Sequence, residues 1–266
     1  MAPTEILADQ HRATLDRFLK GLGVRVASLT SRLPKKEREA VLSAVRKGEV
    51  DILVGTHAVL EEGVNFPRLR LAVIDEQHRF GVRQRTTLRQ KGSLIDLLVM
   101  TATPIPRTLA LALYGDLEVS TLDEMPPGKV TPRTTFSTET EAFAAVRDEV
   151  AKGRQAYIVY PIIEESARLD LSAAKAEFER LKGDVFADLR VGLIHGGMPG
   201  KAKSKVMAEF AAGELQVLVA TPVIEVGIDV PNATVMVIAN ADRFGLASLH
   251  QLRGRIGRGA ADSYCH

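Results

Sequence analysis

The sequence predicts an α/β protein with two similar lobes, each built around a parallel β-sheet. Three observations support this fold class: short apolar runs alternate with helical stretches, a segment of the first half recurs in the second, and a proline-rich stretch separates the halves. Strands that alternate with helices form parallel sheets covered on both faces. The strand candidates outside the recurring segment are Leu71–Ile74, Leu97–Met100, Glu118–Leu122, Gln155–Tyr160 and Thr234–Ile238.

The recurring segment is an internal repeat. Residues Arg25–Thr56 align without gaps with Arg190–Thr221, at an offset of 165 residues, and ten of the 32 positions are identical. Average amino-acid usage would give about two identities by chance. Both copies read as a strand, a Pro-containing turn, a basic helix, a Gly-Glu turn, a second strand and a threonine. A period this long indicates duplicated domains rather than a solenoid.

The stretch Met125–Pro132 contains three prolines and a glycine, which oppose regular structure. We therefore expect the first lobe over residues 1–125, a linker over 126–137 and the second lobe over 138–266.

Composition restricts the class of protein. With 45% hydrophobic and 26% charged residues, the chain has the composition of a soluble globular protein. A net charge of +2 permits a nucleic-acid partner without requiring one. Cys265 is the single cysteine, which excludes an internal disulfide and suits a reducing cytoplasm. No apolar run is long enough to span a membrane and no secretion signal occurs, so we predict a cytoplasmic location.

Asp75 and Glu76 directly follow the apolar strand candidate Leu71–Ile74. Open α/β sheets bind ligands at the carboxyl ends of their strands. In nucleotide-driven motors the first acid of such a pair holds Mg²⁺ and the second polarises the attacking water. A surface acidic pair is the alternative, although the fully apolar strand before these acids argues against it.

Other polar residues also follow strand candidates, namely Thr56, Thr101, His195 and Thr221. Each could be an ordinary strand-ending or N-cap residue. For a lone histidine this structural role is at least as good an interpretation as a functional one. Their recurrence in both halves favours a functional edge on each sheet.

The segment Gln251–Arg258 is rich in arginine and glycine. Taken as a helix, it places Gln251, Arg255 and Arg258 on one face, with the apolar residues Leu249, Leu252 and Ile256 forming a separate stripe. Gly254 and Gly257 would allow close approach of a backbone or a phosphate, at a cost in helix propensity of about 1 kcal/mol each. A solvated basic face is the alternative, whereas planar recognition of phosphate oxygens suits arginines beside a glutamine.

Together these motifs resemble the superfamily 2 helicases, and the resemblance covers the whole chain. The matching segments are Ala2–Glu5 (motif Ia), Gly55–His57 (Ib), Asp75–His78 (II), Thr101–Thr103 (III), Ala220–Pro231 (V) and Gln251–Arg258 (VI). The connecting runs FGVRQR, TATPIPRTLAL, YGDLEVSTLDEMPPGK and RFGLASLHQLRGRIGRG resemble the RecG family. The transcription–repair coupling factor Mfd shares much of this pattern and remains the alternative.

The resemblance implies two tandem RecA-like lobes, the first incomplete and the second truncated at its end. It implies an ATP-dependent DNA helicase or translocase that remodels stalled forks and junctions in recombination and repair. The implied cofactors are ATP and Mg²⁺. The implied partners are forked or branched duplex DNA and replication or repair proteins, with no membrane.

The resemblance also implies roles for individual residues. Asp75 would hold Mg²⁺, Glu76 would orient the hydrolytic water, and Arg255 and Arg258 would be arginine fingers. The further nucleotide contacts would be Gln251, Gly227, Asp229, Gly254 and His78. Thr101 and Thr103 would couple nucleotide state to lobe movement. The residues expected along the DNA backbone are Thr4, Thr56, His57, His195, Gly196 and Thr221.

Helicases of this type carry a Gly-x-x-x-x-Gly-Lys-Ser/Thr phosphate loop before motif Ia, and this sequence contains none. We therefore expect the chain to be part of a longer protein that also carries the loop and a wedge domain. We expect the chain alone to bind DNA without hydrolysing ATP, and its first lobe to be less stable than its second.

Overall fold

The computed structural model describes residues 1–61, 63–76, 95–101, 118–124, 131–161, 167–222, 230–259 and 261–266. The chain divides into two compact units, Met1–Pro104 and Ile105–His266. Every strand pair within the described residues is parallel, which confirms the predicted α/β class. The predicted linker over 126–137 stays a prediction because 125–130 lie outside the described residues, and its Arg133–Thr134 form a strand of the second unit.

The described part of unit 1 contains short strands and helices. They are α1 (Glu5–Phe18), β1 (Val26–Leu29), α2 (Lys35–Arg46), β2 (Ile52–Gly55), a 3₁₀ helix (His57–Leu60), β3 (Leu71–Ile74) and β4 (Asp96–Val99). Strand β1 pairs with β2, and β3 pairs with β4.

The first two residues connect these two strand pairs. The Ala2 amide donates to the Gly55 carbonyl over 2.9 Å, and the Asp75 amide donates to the Met1 carbonyl over 3.0 Å. The Met1 ammonium donates to the Val73 carbonyl over 2.6 Å. The carboxyl ends of β2 and β3 therefore lie on either side of Met1–Ala2, at one edge of unit 1.

Unit 2 has a six-stranded sheet within the part of the chain that the structure describes, in the order β5-β10-β9-β6-β8-β7. Its strands are β5 (Arg133–Thr134), β6 (Gln155–Val159), β7 (Val191–Ile194), β8 (Val217–Ala220), β9 (Ala233–Ile238) and β10 (Tyr264–Cys265). Its helices are α3 (Glu139–Ala151), α4 (Ala167–Arg180), a π-helix (Leu181–Val185), α5 (Gly200–Ala211), a 3₁₀ helix (Ala241–Arg243) and α6 (Leu246–Arg253).

Alternate residues of β6 face two separate cores, because side chains along a strand point to opposite faces. On one face Tyr157 packs on Phe210 of α5, with ring centroids 4.9 Å apart, in a cluster that includes Leu252 of α6. On the other face Ile158 belongs to a cluster with Phe143 of α3. Both faces of this sheet are therefore covered, as predicted.

The internal repeat folds as the sequence predicts, as β1–α2–β2 and β7–α5–β8. In each copy a proline precedes the helix as its N-cap, Pro34 with ψ 145° and Pro199 with ψ 144°. In both copies the extended backbone of this proline leads from the strand segment into the helix in the same way.

One strand prediction is wrong. Residues 118–123 form no strand, and Leu122 is 97% exposed. A strand needs a neighbouring backbone to satisfy its amides, and no other described strand pairs with this stretch. The other strand candidates are confirmed to within two residues at each end. Within the described ranges, no helix is both long and apolar enough to cross a membrane.

Candidate functional site

In unit 1 the acidic pair lies directly after β3, at the edge where Met1–Ala2 is held. The Asp75 side chain is 24% exposed. Glu76 adopts a left-handed backbone conformation with φ 50°. Positive φ is uncommon for a residue other than glycine, and such strained conformations concentrate at functional sites. The strain therefore supports a functional role for this turn over a plain surface acidic pair.

A histidine from α1 reaches the first acid. His11 Nε2 donates to Asp75 Oδ2 over 2.9 Å. This hydrogen bond holds the pKa of Asp75 below its usual value, and it outweighs burial, which acts in the opposite direction. The sequence analysis missed His11 because 64 residues separate it from Asp75, so no spacing pattern connects them.

The donor set at this edge fits Mg²⁺. Mg²⁺ is usually held by one or two carboxylates, with phosphate oxygens and waters as its other ligands. Asp75 supplies one partly exposed carboxylate at the end of a strand. Three His, Cys, Asp or Glu side chains do not come together anywhere in the described ranges.

The predicted DNA-binding residues of unit 1 differ in their exposure and in their hydrogen bonds. Thr4 is the N-cap of α1, and its hydroxyl oxygen accepts from the Leu7 amide over 3.3 Å. Thr56 is 1% exposed, and its hydroxyl has no hydrogen-bond partner among the described residues. His57 and Thr101 are exposed. An ordinary N-cap role thus explains Thr4, whereas none of the described residues gives the Thr56 hydroxyl a structural partner.

In unit 2 the predicted residues His195 and Thr221 lie side by side. Strands β7 and β8 pair with Ile194 opposite Ala220, so the residue after each strand reaches the same edge. The Thr221 amide donates to the Ile194 carbonyl over 3.2 Å. His195 is 8% exposed, and its Nδ1 has no partner in the described part of the chain, while Gly196 is exposed.

Two lysines make this edge cationic. Lys203 Nζ donates to the Gly196 carbonyl over 2.7 Å, and burial lowers the pKa of Lys203. Burial also lowers the pKa of His195, and the positive charges of Lys175 and Lys203 lower it further. Positive groups that disfavour one another attract an anion to the same place. Lys203 was missed, although the run of lysines in the basic helix of the repeat was a usable signal.

The predicted helix through Arg258 is wrong, because α6 ends at Arg253. Gly254 is its C-cap, and Gly257 has φ 71°, a conformation that glycine adopts without a steric penalty. The two glycines therefore end the helix, and Arg255 and Arg258 lie on the turn that follows while Gln251 stays within α6.

The apolar stripe of this segment is confirmed. Leu252 and Ile256 are fully buried, and Leu249 packs against the same core. These side chains anchor the glycine-containing turn to the sheet. Arg258 is exposed on that turn, and its Nε donates to the Gly254 carbonyl over 3.0 Å.

Four of the predicted site residues lie outside the described residues, namely His78, Thr103, Gly227 and Asp229. Their predicted roles stay predictions.

Comparison with known families divides the chain in the same way. The DEAD/DEAH box helicase family matches residues 1–112, and the helicase conserved C-terminal domain family matches residues 141–260. The two matches together cover most of both units.

Individual relatives extend the likeness to the whole chain. The chain is 51% identical to the ATP-dependent DNA helicase RecG of Thermotoga maritima, covering all of this chain and 34% of that protein. It is 50% identical to RecG of Escherichia coli strain K12, covering all of this chain and 39% of that protein. A solved structure of RecG bound to a three-way DNA junction matches with a TM-score of 0.79 at 47% identity, covering all of this chain and 35% of that one.

These relatives favour the RecG family over the transcription–repair coupling factors. The chain spans between about a third and two fifths of the length of the relatives it matches. Its first part matches the DEAD/DEAH box helicase family, its second part matches the helicase conserved C-terminal domain family, and the whole chain is similar to the RecG helicases.

Proposed function

We propose that this chain is the motor region of an ATP-dependent DNA helicase that remodels branched DNA, such as stalled forks and junctions. The observation that carries the proposal is the Asp75–Glu76 pair at the carboxyl end of β3, in a chain about half identical to RecG helicases. The three-way junction in the matching RecG structure supports branched DNA as the substrate.

The nucleotide chemistry would rest on a few side chains. Asp75 would hold the Mg²⁺ that accompanies ATP, and this metal would supply charge neutralisation when bound. Glu76 would orient the hydrolytic water from its strained turn. Arg255 and Arg258 would stabilise negative charge on the phosphates through planar guanidinium groups. Gln251, Gly254, Gly227, Asp229 and His78 would assist nucleotide binding, and Thr101 and Thr103 would couple it to movement.

DNA would be held through its phosphates rather than its bases. Hydroxyls, backbone amides and cations position a nucleic-acid backbone without reading sequence. Thr56 in unit 1 and His195 in unit 2 are buried polar groups at strand ends without a described side-chain partner. Thr4, His57, Gly196 and Thr221 lie at the same edges of their units.

The biological setting belongs to the same proposal and is supported by the family likeness. It comprises roles in recombination and repair, replication or repair proteins as partners, and a cytoplasmic location.

The test is ATP hydrolysis measured with and without forked DNA. This chain is compared with a form extended upstream through a Gly-x-x-x-x-Gly-Lys-Ser/Thr loop. In the extended form, Glu76→Gln should lower DNA-stimulated hydrolysis by at least about 10²-fold and Arg258→Ala by about 10³-fold. Glu37→Gln removes a carboxylate from the exposed side of α2 and should leave hydrolysis unchanged.

The outcome separates two functions. If the extended form hydrolyses ATP and this chain does not, the motor proposal is supported and this chain is an inactive part of the motor. If neither form hydrolyses ATP while both bind forked DNA, the motor proposal fails. The chain is then a DNA-binding module, the reading that its lack of a phosphate loop favours for the chain in isolation.

A further inference from the structure

We infer that His11 is a positioning residue for Asp75, and that helix α1 thereby connects the DNA-facing edge of unit 1 to the carboxylate that would hold Mg²⁺. The inference rests on the proposed function, and it assigns a role to a residue outside every helicase motif recognised in the sequence.

The geometry of the contact is that of a directed hydrogen bond. His11 Nε2 and Asp75 Oδ2 are 2.9 Å apart, within the range for a charge-assisted bond. The bond is made to one of the two carboxylate oxygens, Oδ2. Asp75 is only 24% exposed, so the surrounding fold already restricts the side chain.

A ligand carboxylate needs such a partner. The terminal torsion of an aspartate is broad, so an unassisted carboxylate samples many orientations. Hydrogen bonds from residues behind the ligand fix that orientation, and their loss costs about 10- to 100-fold in metal affinity or activity. His11 meets this requirement because its ring, held on helix α1, donates to the Asp75 carboxylate.

The first turn of α1 is also held in place. Glu5, its first residue, accepts from the Ser31 hydroxyl over 2.9 Å and from the Arg32 amide over 3.1 Å. Glu5 also forms an ion pair with the Arg32 guanidinium. Thr4, a predicted DNA residue, caps the same helix end.

Helix α1 is therefore held in its first turn at the β1–α2 connection and in a later turn at Asp75. Ala8, between these contacts, is completely buried. A displacement of Thr4 or Glu5 by DNA would be carried along a hydrogen-bonded helix to His11. This arrangement gives DNA a direct physical route to the Mg²⁺ ligand within unit 1.

The alternative is a bond that only stabilises the fold. His11 is 41% exposed, and partly exposed ion pairs contribute little to stability. A stabilising bond and a positioning bond differ in their effect on Mg²⁺, so Mg²⁺ dependence is the quantity to measure.

Three variants distinguish a positioning bond from a bond that only stabilises the fold. His11→Ala removes the donor, and His11→Gln keeps an amide N–H near the position of Nε2. Arg12→Gln breaks the neighbouring Arg12–Asp16 ion pair of 2.7 Å on the same helix and does not touch Asp75. It is the matched control for a general loss of helix stability.

The first measurement uses the form extended through the phosphate loop. Binding of a fluorescent ATP analogue and ATP hydrolysis are each followed as Mg²⁺ is varied. His11→Ala should raise the Mg²⁺ concentration for half-maximal effect about 10-fold in both assays. His11→Gln should recover most of this loss, and Arg12→Gln should behave as the unmodified protein.

The second measurement tests the contact in this chain without nucleotide. The ring-nitrogen NMR signals of His11 should move on Asp75→Asn and stay unchanged on Asp51→Asn, which alters an exposed carboxylate elsewhere in unit 1. Unmoved His11 signals would remove the contact on which the inference rests.

The inference is overturned if His11→Ala leaves the Mg²⁺ dependence unchanged while Glu76→Gln abolishes hydrolysis, a result that leaves the proposed function standing. Equal effects of His11→Ala and Arg12→Gln would reduce the bond to a stabilising one. Absence of hydrolysis in the unmodified extended form would instead count against the proposed function.

Discussion

Arg25 and Arg190 begin the two copies of the internal repeat, and they make closely similar bonds. The Arg25 amide donates to Asp51 Oδ2 over 2.9 Å, and the Arg190 amide donates to Gln216 Oε1 over 3.0 Å. Each guanidinium also donates to the carbonyl of the glycine after the helix, Gly48 over 3.1 Å and Gly213 over 3.3 Å. The two copies therefore share the bond from the arginine amide and the bond from its guanidinium to the glycine carbonyl.

The copies differ in how deeply they are buried. Strand β8 of unit 2 is buried at all four positions, and β7 at three of four. In unit 1, β1 is buried at one position and β2 at two. The reason is the neighbourhood: β8 lies between β6 and β7 in a six-stranded sheet, whereas β1 and β2 form a separate pair.

Two strand–helix–strand segments of similar sequence and local structure are thus buried to different extents. Local sequence determines the hydrogen bonds within each copy, while neighbouring strands and helices determine how much apolar surface it buries. Since burial supplies most of the stabilisation, the two units should differ in stability more than their repeat suggests.

The largest expected effect is in amide hydrogen exchange. The amides of β6, β8 and β9 should exchange roughly 100-fold more slowly than those of β1 to β4, a difference of ~3 kcal/mol in opening free energy. Native-state exchange followed by NMR or mass spectrometry measures both units in one sample. Equal or greater protection in unit 1 would show that strand burial does not govern their relative stability.

Core truncation at equivalent positions should give the next largest difference. Phe210 of α5 and Val45 of α2 occupy the same position of the repeat, and they are 0% and 5% exposed. Phe210→Ala should destabilise unit 2 by about 3–5 kcal/mol, because it leaves a cavity against Tyr157. Val45→Ala should destabilise unit 1 by about 1–2 kcal/mol.

Urea unfolding, followed by signals specific to each unit, measures both losses. Phe136→Ala is the control, since Phe136 is fully exposed and its loss should change neither transition. Similar losses for Phe210→Ala and Val45→Ala would indicate that the helices of the two copies pack equally well.

The smallest expected effect is a pH dependence of local stability that differs between the two copies, because the arginine amide donates to Asp51 in one copy and to Gln216 in the other. The hydrogen bond from the Arg25 side chain holds the pKa of Asp51 below its usual value. A carboxyl whose folded pKa is lowered stabilises the fold above its unfolded pKa, and this contribution is lost as the pH falls through the folded value. Gln216 does not titrate, so the second copy should keep its bond in acid.

Exchange of the Ile52 and Val217 amides, each bonded to the carbonyl of the copy's first arginine, reports this difference. Lowering the pH from about 5 to about 2.5 should reduce the protection of Ile52 relative to that of Val217. Asp51→Asn should remove the pH dependence at Ile52. Parallel changes at both amides, with Asp51 intact, would contradict the account.

Much of the fold was predictable because it depends on neighbouring residues. The apolar runs located β3, β6 and β9, and the repeat located β1–α2–β2 and β7–α5–β8. The strand predicted over Glu118–Leu122 does not form, because apolar residues make a strand only where a neighbouring backbone pairs with them. The prediction of a helix through Arg258 was wrong because Gly254 and Gly257 end the helix, even though the spacing of the arginines would suit one helix face.

The candidate site divides in the same way. Asp75, Glu76, Thr56, His195 and Thr221 follow strands directly, so a sequence pattern was enough to place each at a strand end. Lys203 and His11 act on those residues from adjacent helices, and their contacts depend on packing between elements.

The sequence by itself determined the α/β class, the duplication and the acidic pair after β3, because each depends on short-range periodicity or adjacency in the chain. Only the tertiary structure decided that His11 bonds to Asp75, that Glu5 holds Ser31 and Arg32, and that one copy of the repeat is buried more deeply than the other. Contacts between residues tens of positions apart depend on how helices and strands pack. That packing follows from the burial of the whole unit rather than from any local pattern.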